Sequence, residues 1–390
     1  MARATPFPSN LVCIRSQSVP RERRIEALLR LRAYCYCVAM TRPHRDWLWS
    51  ATATGAALLL ASALLTWSHP PAPEPLVLSL GTGGEGGVYH EYGSGLSSVS
   101  DNVDHVEIVT HTTAASVENN RLVAGGAMDA AFTLADVAAL AVAGEPPFDE
   151  PLPIRAIARL YDNHTHVVVR ADSPYEQVAD LAGATVSLGA SGSGTEMMAE
   201  RLLDLAGLER LPGDADPADG DGDPANGDGD AVVATRLSIE RSARALEDGS
   251  IDAFFWSGGL PTRAVADLAE RHPVRLLDLS EHVPELVAAH GEYFAERPVP
   301  AGTYPDVPAV RTIGVPSLLV VDRRMPDDVA QDLTALLFES RGALFEAHPV
   351  ALHLHPRSAI ATLPVPLHPG AAAYYRSVKY AYDPQDDRTP

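Results

Sequence analysis

Residues 76–93 read LVLSLGTGGEGGVYHEYG, and this stretch decides the fold. Leu76–Leu80 is an apolar run of strand length, and Gly81–Gly87 is a glycine-rich turn. A helix carrying Tyr89, Leu96 and Val99 is expected after it. A strand that feeds a glycine turn and then a helix opens a parallel α/β sheet. The rhythm repeats along the chain. Val106–Val109 reads as a strand, and Ser116 as an N-cap candidate for a helix through Leu122 and Val123. Ala130–Phe132 reads as a strand, followed by an Ala-rich helix from Asp136. Ile154–Arg159 and His166–Arg170 are expected as two separate strands. From Ser173 a second unit of the same kind begins. Strand Thr185–Leu188 runs into the turn Gly189–Thr195 and a helix from Glu196 to Leu205. Further on come a helix Arg236–Leu246, a strand Ile251–Trp256 and a strand Thr312–Val321 that returns to the first unit. Helices between Pro326 and Ala347 close the body.

The chain has 390 residues and a net charge of −21. That length suits one large or two ordinary domains. The charge argues against nucleic acid as a partner, because such affinity comes from neutralising phosphates with Lys and Arg. The three cysteines, Cys13, Cys35 and Cys37, all precede the body, which must therefore stand on packing without disulfides or thiolate metal sites.

Residues 1–39 form a basic extension with seven Arg against Glu22 and Glu26. From Met40, a polar basic lead precedes residues 47–67, which carry no charge and are long enough to span a bilayer, where about 20 residues suffice. Trp47, Trp49 and Trp67 sit at the ends, and Ala61-Ser62-Ala63 fits a signal-peptidase site. Residues 40–68 are thus expected to be a signal peptide or membrane anchor, and 69–75 a stiff Pro-rich spacer. The body is expected outside the cytoplasm. Residues 212–231 are rich in Asp and Gly and expected to be a disordered insertion. The Asp219, Asp221, Asp223 spacing resembles a calcium loop, but Pro224 sits where that loop needs glycine.

Both glycine turns invite a ligand. Gly81, Gly83 and Gly86 fit the G-x-G-x-x-G dinucleotide pattern, but an exported protein has no nicotinamide pool. The second turn lacks the lysine of a P-loop and the spacing of a nucleophile elbow. Backbone N–H groups at a helix N-terminus suit a small anion such as a carboxylate. Ser191, Ser193 and Thr195 add hydroxyl donors. Two such turns could face each other across a cleft, or each could be an ordinary strand-to-helix turn. A nucleotide-dependent enzyme is the least favoured reading.

The segments GTGGEGGVYHEYG (81–93), SVENNRLVAGGAMDAAF (116–132), ARLYDNHTHVVVRADS (158–173), SLGASGSGTE (187–196), DGSIDAFFWSGGLPT (248–262), PAGTYPDV (300–307) and VPLHPGAAAYYR (365–376) carry a resemblance. Together they are similar to the TAXI-type solute-binding subunits of TRAP transporters, which have a type II periplasmic-binding-protein fold. The resemblance implies an α/β body of two lobes, 76–171 with 312–390 and 172–311, that close on a small carboxylate such as glutamate or a related dicarboxylate. It implies ligand contacts from Gly87, Val88, Tyr89, Ser116 and Asn119 in the first lobe. From the second it implies Ser191, Gly192, Ser193, Gly194, Thr195, Trp256 and Gly259. The partner implied is a TRAP-type permease; a sensor kinase is the alternative. No enzymatic activity, cofactor or metal is expected. Three features depart from the family pattern: Glu85, which would repel an anion if it faced the cleft, His90, and Leu134 where a glutamine is common.

His348, His353, His355 and His368 look like a metal cluster, but three of the four lie beside prolines and no carboxylate is interleaved, so structural roles are expected. Asp252 is expected to cap a strand end. Tyr304 is expected to line the cleft or to hold the interlobe loop. Phe255 is placed in the core and Trp256 nearer the cleft.

Overall fold

The computed structural model describes residues 75–101, 106–213 and 231–381. The expected extension, the signal or anchor segment, the spacer up to Glu74 and nearly all of the Asp/Gly insertion lie outside the described residues. Among the described residues no helix is long and apolar enough to cross a membrane.

The first lobe begins with β1 (Leu76–Gly81), the glycine turn and α1 (Val88–Ser100), then β2 (Val106–His111), α2 (Ser116–Ala124), β3 (Ala130–Leu134) and α3 (Ala135–Ala143). Next comes β4 (Ile154–Arg170), a 17-residue strand. The second lobe follows with β5 (Thr185–Ser187), α4 (Gly194–Leu205), β6 (Glu209–Pro212), β7 (Ala231–Thr235), α5 (Ile239–Asp248) and β8 (Ala253–Gly258). It continues through α6 (Arg263–Arg271), β9 (Val274–Leu276), α7 (Val283–His290) and β10 (Ala295–Val299). The long β11 (Val310–Asp322) returns to the first lobe, where α8 (Asp327–Glu339), α9 (Arg341–Ala347), α10 (Pro356–Ala359) and α11 (Pro369–Ala381) complete it.

Among the described residues all strands belong to one sheet of order β2-β1-β3-β11-β4-β8-β5-β7-β6, with β10 beside β11 and β9 beside β4. β1 lies parallel to β2 and β3, and β5 parallel to β7 and β8. The antiparallel pair β4 and β11 joins these two parallel halves. Their neighbours change at one level. His164 pairs with Gly314 on one side and Gly258 on the other; before it β4 follows β11, after it β8. β11 makes the same exchange, from β10 up to Gly314 to β3 from Ser317, with a register shift between Pro316 and Leu318. Two strands crossing between two α/β halves at one level form the two-lobe, periplasmic-binding-protein-like fold.

β4 corrects the expectation of two strands. The polar run Tyr161-Asp162-Asn163-His164 looks like a loop, yet the ladder continues through it. Asp162 accepts from Arg159 at 2.6 Å and Arg297 at 2.9 Å, and Asn163 donates to Tyr89 and Ser317. Satisfied in this way, buried polar groups need not break a strand.

Three apolar clusters hold the body. One, around Leu80, Leu96 and Phe132, lies under α1, α8 and α11 in the first lobe. Another, around Phe254, Val265 and Leu268, belongs to the second. The third is shared: Leu134 and Ala138 of the first lobe cluster with Met198 and Leu202 of the second. The lobes are therefore closed on each other. Burying a large aliphatic or aromatic side chain contributes about 1.5–3 kcal/mol, so the shared cluster favours closure.

Candidate functional site

Between the lobes, beside the crossing strands, lies a cavity of about 300 Å³. The two glycine turns make opposite walls of it. Gly87 caps α1 in extended conformation and Ser193 caps α4, its hydroxyl accepting from Glu196 N–H at 3.0 Å. The third amide of each helix is satisfied locally: His90 by the Gly87 carbonyl and Glu196 by Ser193. Among the described residues nothing accepts from the first two, Val88 and Tyr89 in α1 and Gly194 and Thr195 in α4. All four residues line the cavity. Free first-turn amides at a positive dipole end are the groups with which proteins hold anions.

Two glycines of the first turn are needed where they stand. Gly86 has φ +72°, and a Cβ there would lie 2.5 Å from Glu240. A Cβ on Gly87 would meet Trp256 at 3.0 Å and the Gly84 carbonyl at 3.1 Å.

A third helix end behaves differently. Ala115, which lines the cavity, precedes α2 with φ 83°, a region that costs a non-glycine residue about 1–3 kcal/mol. It turns the α2 N-terminus toward the second lobe, where Val117 and Glu118 N–H donate to the Gly192 carbonyl at 3.1 and 3.2 Å. Ser116 is therefore the first helical residue and not the cap that was expected; its hydroxyl accepts from Leu134 N–H at 3.1 Å.

The crossing strands form the cavity floor. Tyr89 OH lies 2.7 Å from Ser317 Oγ, and Asn163 donates to both hydroxyls. Burial raises the Tyr89 pKa strongly, keeping it a neutral phenol. Asn163 is 1% exposed, and its Oδ1 has no partner. The Tyr161 and Ser257 hydroxyls, also in the lining, are likewise unpartnered. Val88, Leu134, Ile239 and Trp256 supply the apolar surface, and among the described residues no charged side chain is part of the lining.

Of the expected site residues, Gly87, Val88, Tyr89, Ser116, Ser193, Gly194, Thr195 and Trp256 line the cavity. Four others do not. Asn119 is fully buried and wired to the first lobe. It donates to the Thr82 and Phe132 carbonyls, both at 2.7 Å, and accepts from Thr113 at 2.7 Å. Ser191 is exposed to solvent, and Gly192 contributes its carbonyl to the interlobe contact. Gly259 is buried where a Cβ would strike Val350, Tyr161 and Val88. Glu85 is exposed outside the lining, and Leu134 is part of it.

The residue roles left open elsewhere are settled by packing. Tyr304 is fully buried, accepts from Thr262 N–H at 3.1 Å and meets His166 Nε2 at 2.9 Å, so it holds the interlobe loop. Trp256 donates to Thr262 Oγ1 at 2.8 Å, which orients its ring, while Phe255 lies in the shared core. Asp252 accepts from Thr185 N–H at 2.9 Å and pairs with Arg170. Asn163, Tyr161 and Ser257 were not singled out from the sequence. The available signal was a polar Tyr-Asp-Asn-His run between two apolar strand segments.

Solved structures similar to this chain include a Xanthomonas citri protein bound to ATP, at 17% identity and TM-score 0.45, covering 79% of this chain and 99% of that one. Another is the periplasmic aliphatic sulphonate binding protein SsuA of Escherichia coli, at 15% identity and TM-score 0.39, covering 80% and 88%. A Bordetella bronchiseptica RB50 protein matches at 17% identity and TM-score 0.44, covering 80% and 91%. The model of the NMT1-like family matches residues 80–378, nearly the whole two-lobe body. The chain belongs to the NMT1-like family.

Proposed function

We propose that this protein is an extracytoplasmic, non-enzymatic solute-binding protein of a TRAP-type, TAXI-class transport system. It captures a small carboxylate between its lobes and presents it to a membrane permease, with residues 40–68 as export signal or anchor. One observation carries the reading: two helix N-termini from opposite lobes leave four free N–H groups on one interlobe cavity. Val88, Tyr89, Gly194 and Thr195 hold the carboxylate, Trp256 covers it, Ser193 fixes the turn that presents the α4 amides, and Ser116 ties the start of α2 to Leu134 in the cavity wall.

The test is calorimetric titration of the full chain with small carboxylic acids, glutamate among them, and with their uncharged methyl esters. Acids should bind and esters should not. Val88→Pro deletes one of the four amides at the first helical position, where proline is tolerated. A hydrogen bond to a charged group is worth about 1.5–3 kcal/mol, so this variant should lose roughly 10- to 100-fold in affinity. Equal binding of acid and ester would remove the reading.

A further inference from the structure

The crossing strands have a second face. Asp162 and His164 alternate along β4 with Tyr161 and Asn163, and so point away from the cleft cavity. There they line a separate cavity of about 740 Å³. Both lobes wall it: Val350, His353 and Ser358 from the first, Leu260, Pro261 and Thr303 from the second. Tyr161 belongs to both linings.

Two arginines reach this cavity, and one carboxylate fixes them. Arg159 Nη2 donates to Asp162 Oδ1 at 2.6 Å, and Arg297 Nε donates to Oδ2 at 2.9 Å. Arg297 starts on β10 and reaches β4 across β11, passing over Gly314, where a Cβ would strike its Cγ. A side chain laid across a strand and held at its head loses little further freedom on binding. Each guanidinium has five N–H donors. Among the described residues Arg159 uses one, on Asp162, and Arg297 uses two, on Asp162 and the Glu296 carbonyl. The two side chains are 29% and 39% exposed, so they are not sealed from solvent. Among the described residues Asp162 is the only acidic side chain of the lining. Counting histidine as neutral, the lining is therefore positive in a chain whose net charge is −21. The planar fork of a guanidinium matches the paired oxygens of a carboxylate or a phosphate.

We propose that this cavity behind the cleft is a second ligand site, taking a small oxyanion between Arg159 and Arg297, and that its occupant holds the lobes closed. The second part follows from the walls. They come from both lobes, and the shape seen belongs to the closed arrangement. An occupant that fits this shape shifts the lobes toward closure by the difference in its affinity for the two arrangements. Nothing in this depends on what fills the cleft.

The full chain is titrated calorimetrically with inorganic phosphate, sulfate and citrate, with sodium chloride holding the ionic strength constant. At least one should bind, and should bind equally well to Val88→Pro, in which the cleft has lost an amide. Arg297→Gln should weaken that binding ~10-fold or more, because a charge-assisted bond is lost. Ser358→Glu, at an exposed position of the lining, should do the same by setting a like charge beside the anion while leaving the Asp162 network intact. Binding weakened by Val88→Pro and unaffected by the other two would return the anion to the cleft and overturn the site. So would binding of none of the three, which would leave the two arginines as a brace between strands. Hydrogen exchange at the Val117 and Glu118 amides, which bond to Gly192 across the closed lobes, tests the hold on the lobes. At ten times its dissociation constant the anion should slow this exchange at least ~3-fold, against a limit of about 11-fold for an occupant of the closed form alone. Unchanged exchange with the anion bound would overturn the hold.

Discussion

Gly194 shows how little room a single position can leave. A Cβ there would lie 2.5 Å from Leu134 Cδ1 and 2.9 Å from Ser116 Oγ, both on the opposite lobe. The clash exists only when the lobes meet, so Gly194→Ala should fold normally but resist closure. The expected outcome is a ligand affinity reduced ~10-fold or more, with an enlarged radius of gyration in solution scattering at saturating ligand. An unchanged radius would mean that Leu134 can yield. This constraint could not be read from the sequence. Ser191 through Thr195 look like equivalent small polar positions, and only the opposing lobe decides which face the cavity, which carry an interlobe contact and which face solvent. Asn119 shows the converse. Its place in a glycine-turn neighbourhood suggested a ligand contact, but three strong backbone and hydroxyl partners hold it in the first lobe.

At the scale of the element, three histidines that resembled a metal cluster form a repeated cap. His348, His355 and His368 each precede a proline at the start of a helical turn. Each ring Nδ1 accepts the N–H two residues on, at 3.2, 3.1 and 3.2 Å respectively. Proline removes one orphan amide and fixes the helical φ, while the imidazole satisfies the next. His355→Ala should therefore lower stability by about 1 kcal/mol and leave ligand affinity unchanged in the same titration. A change in affinity would place His355 in the site after all. Most strands and helices were legible because apolar runs and glycine turns alternate at short range. β4 was not, because what closes its polar middle comes from Tyr89, Arg297 and Ser317, far away in sequence. The short β9 and β10 strands were also missed: each takes its identity from the long strand it edges, and neither has a periodic pattern of its own.

The whole molecule turns on the crossing strands, and their chemistry makes its stability depend on pH. Burial lowers the pKa of His164 to about 4, partly opposed by Asp162, and that of His166 to about 3. His166 Nδ1 meets the His164 carbonyl at 2.8 Å and so carries the proton, leaving Nε2 to accept from Tyr304. Both rings are neutral in the fold and titrate near 6.5 when unfolded. Their contribution is complete above about pH 6.5 and is lost as pH falls toward 4, where the unfolded chain binds up to two more protons. The slope from this pair approaches about 2.7 kcal/mol per pH unit. Chemical denaturation at pH 7, 6 and 5 should show a steepening loss, to which the burial-lowered His290, His348 and His368 add, and His166→Gln should reduce its slope by up to about 1.4 kcal/mol per pH unit. A flat profile in the parent chain would mean that these rings are protonated in the fold.

The Gly192 carbonyl has a kinetic consequence. It sits on the α2 N-terminus much as an external anion would, so the second lobe supplies the first with an acceptor of its own. Closure thereby satisfies two amides whether or not the cavity is filled, and the shared Leu134–Met198 cluster adds to it. Under the proposed function, an empty molecule resting in this closed form admits solute only after the lobes part. Capture then runs at the frequency of opening and levels off at high solute concentration, while the same two bonds slow escape. On that proposal, the time a solute stays bound is set largely by these two backbone bonds.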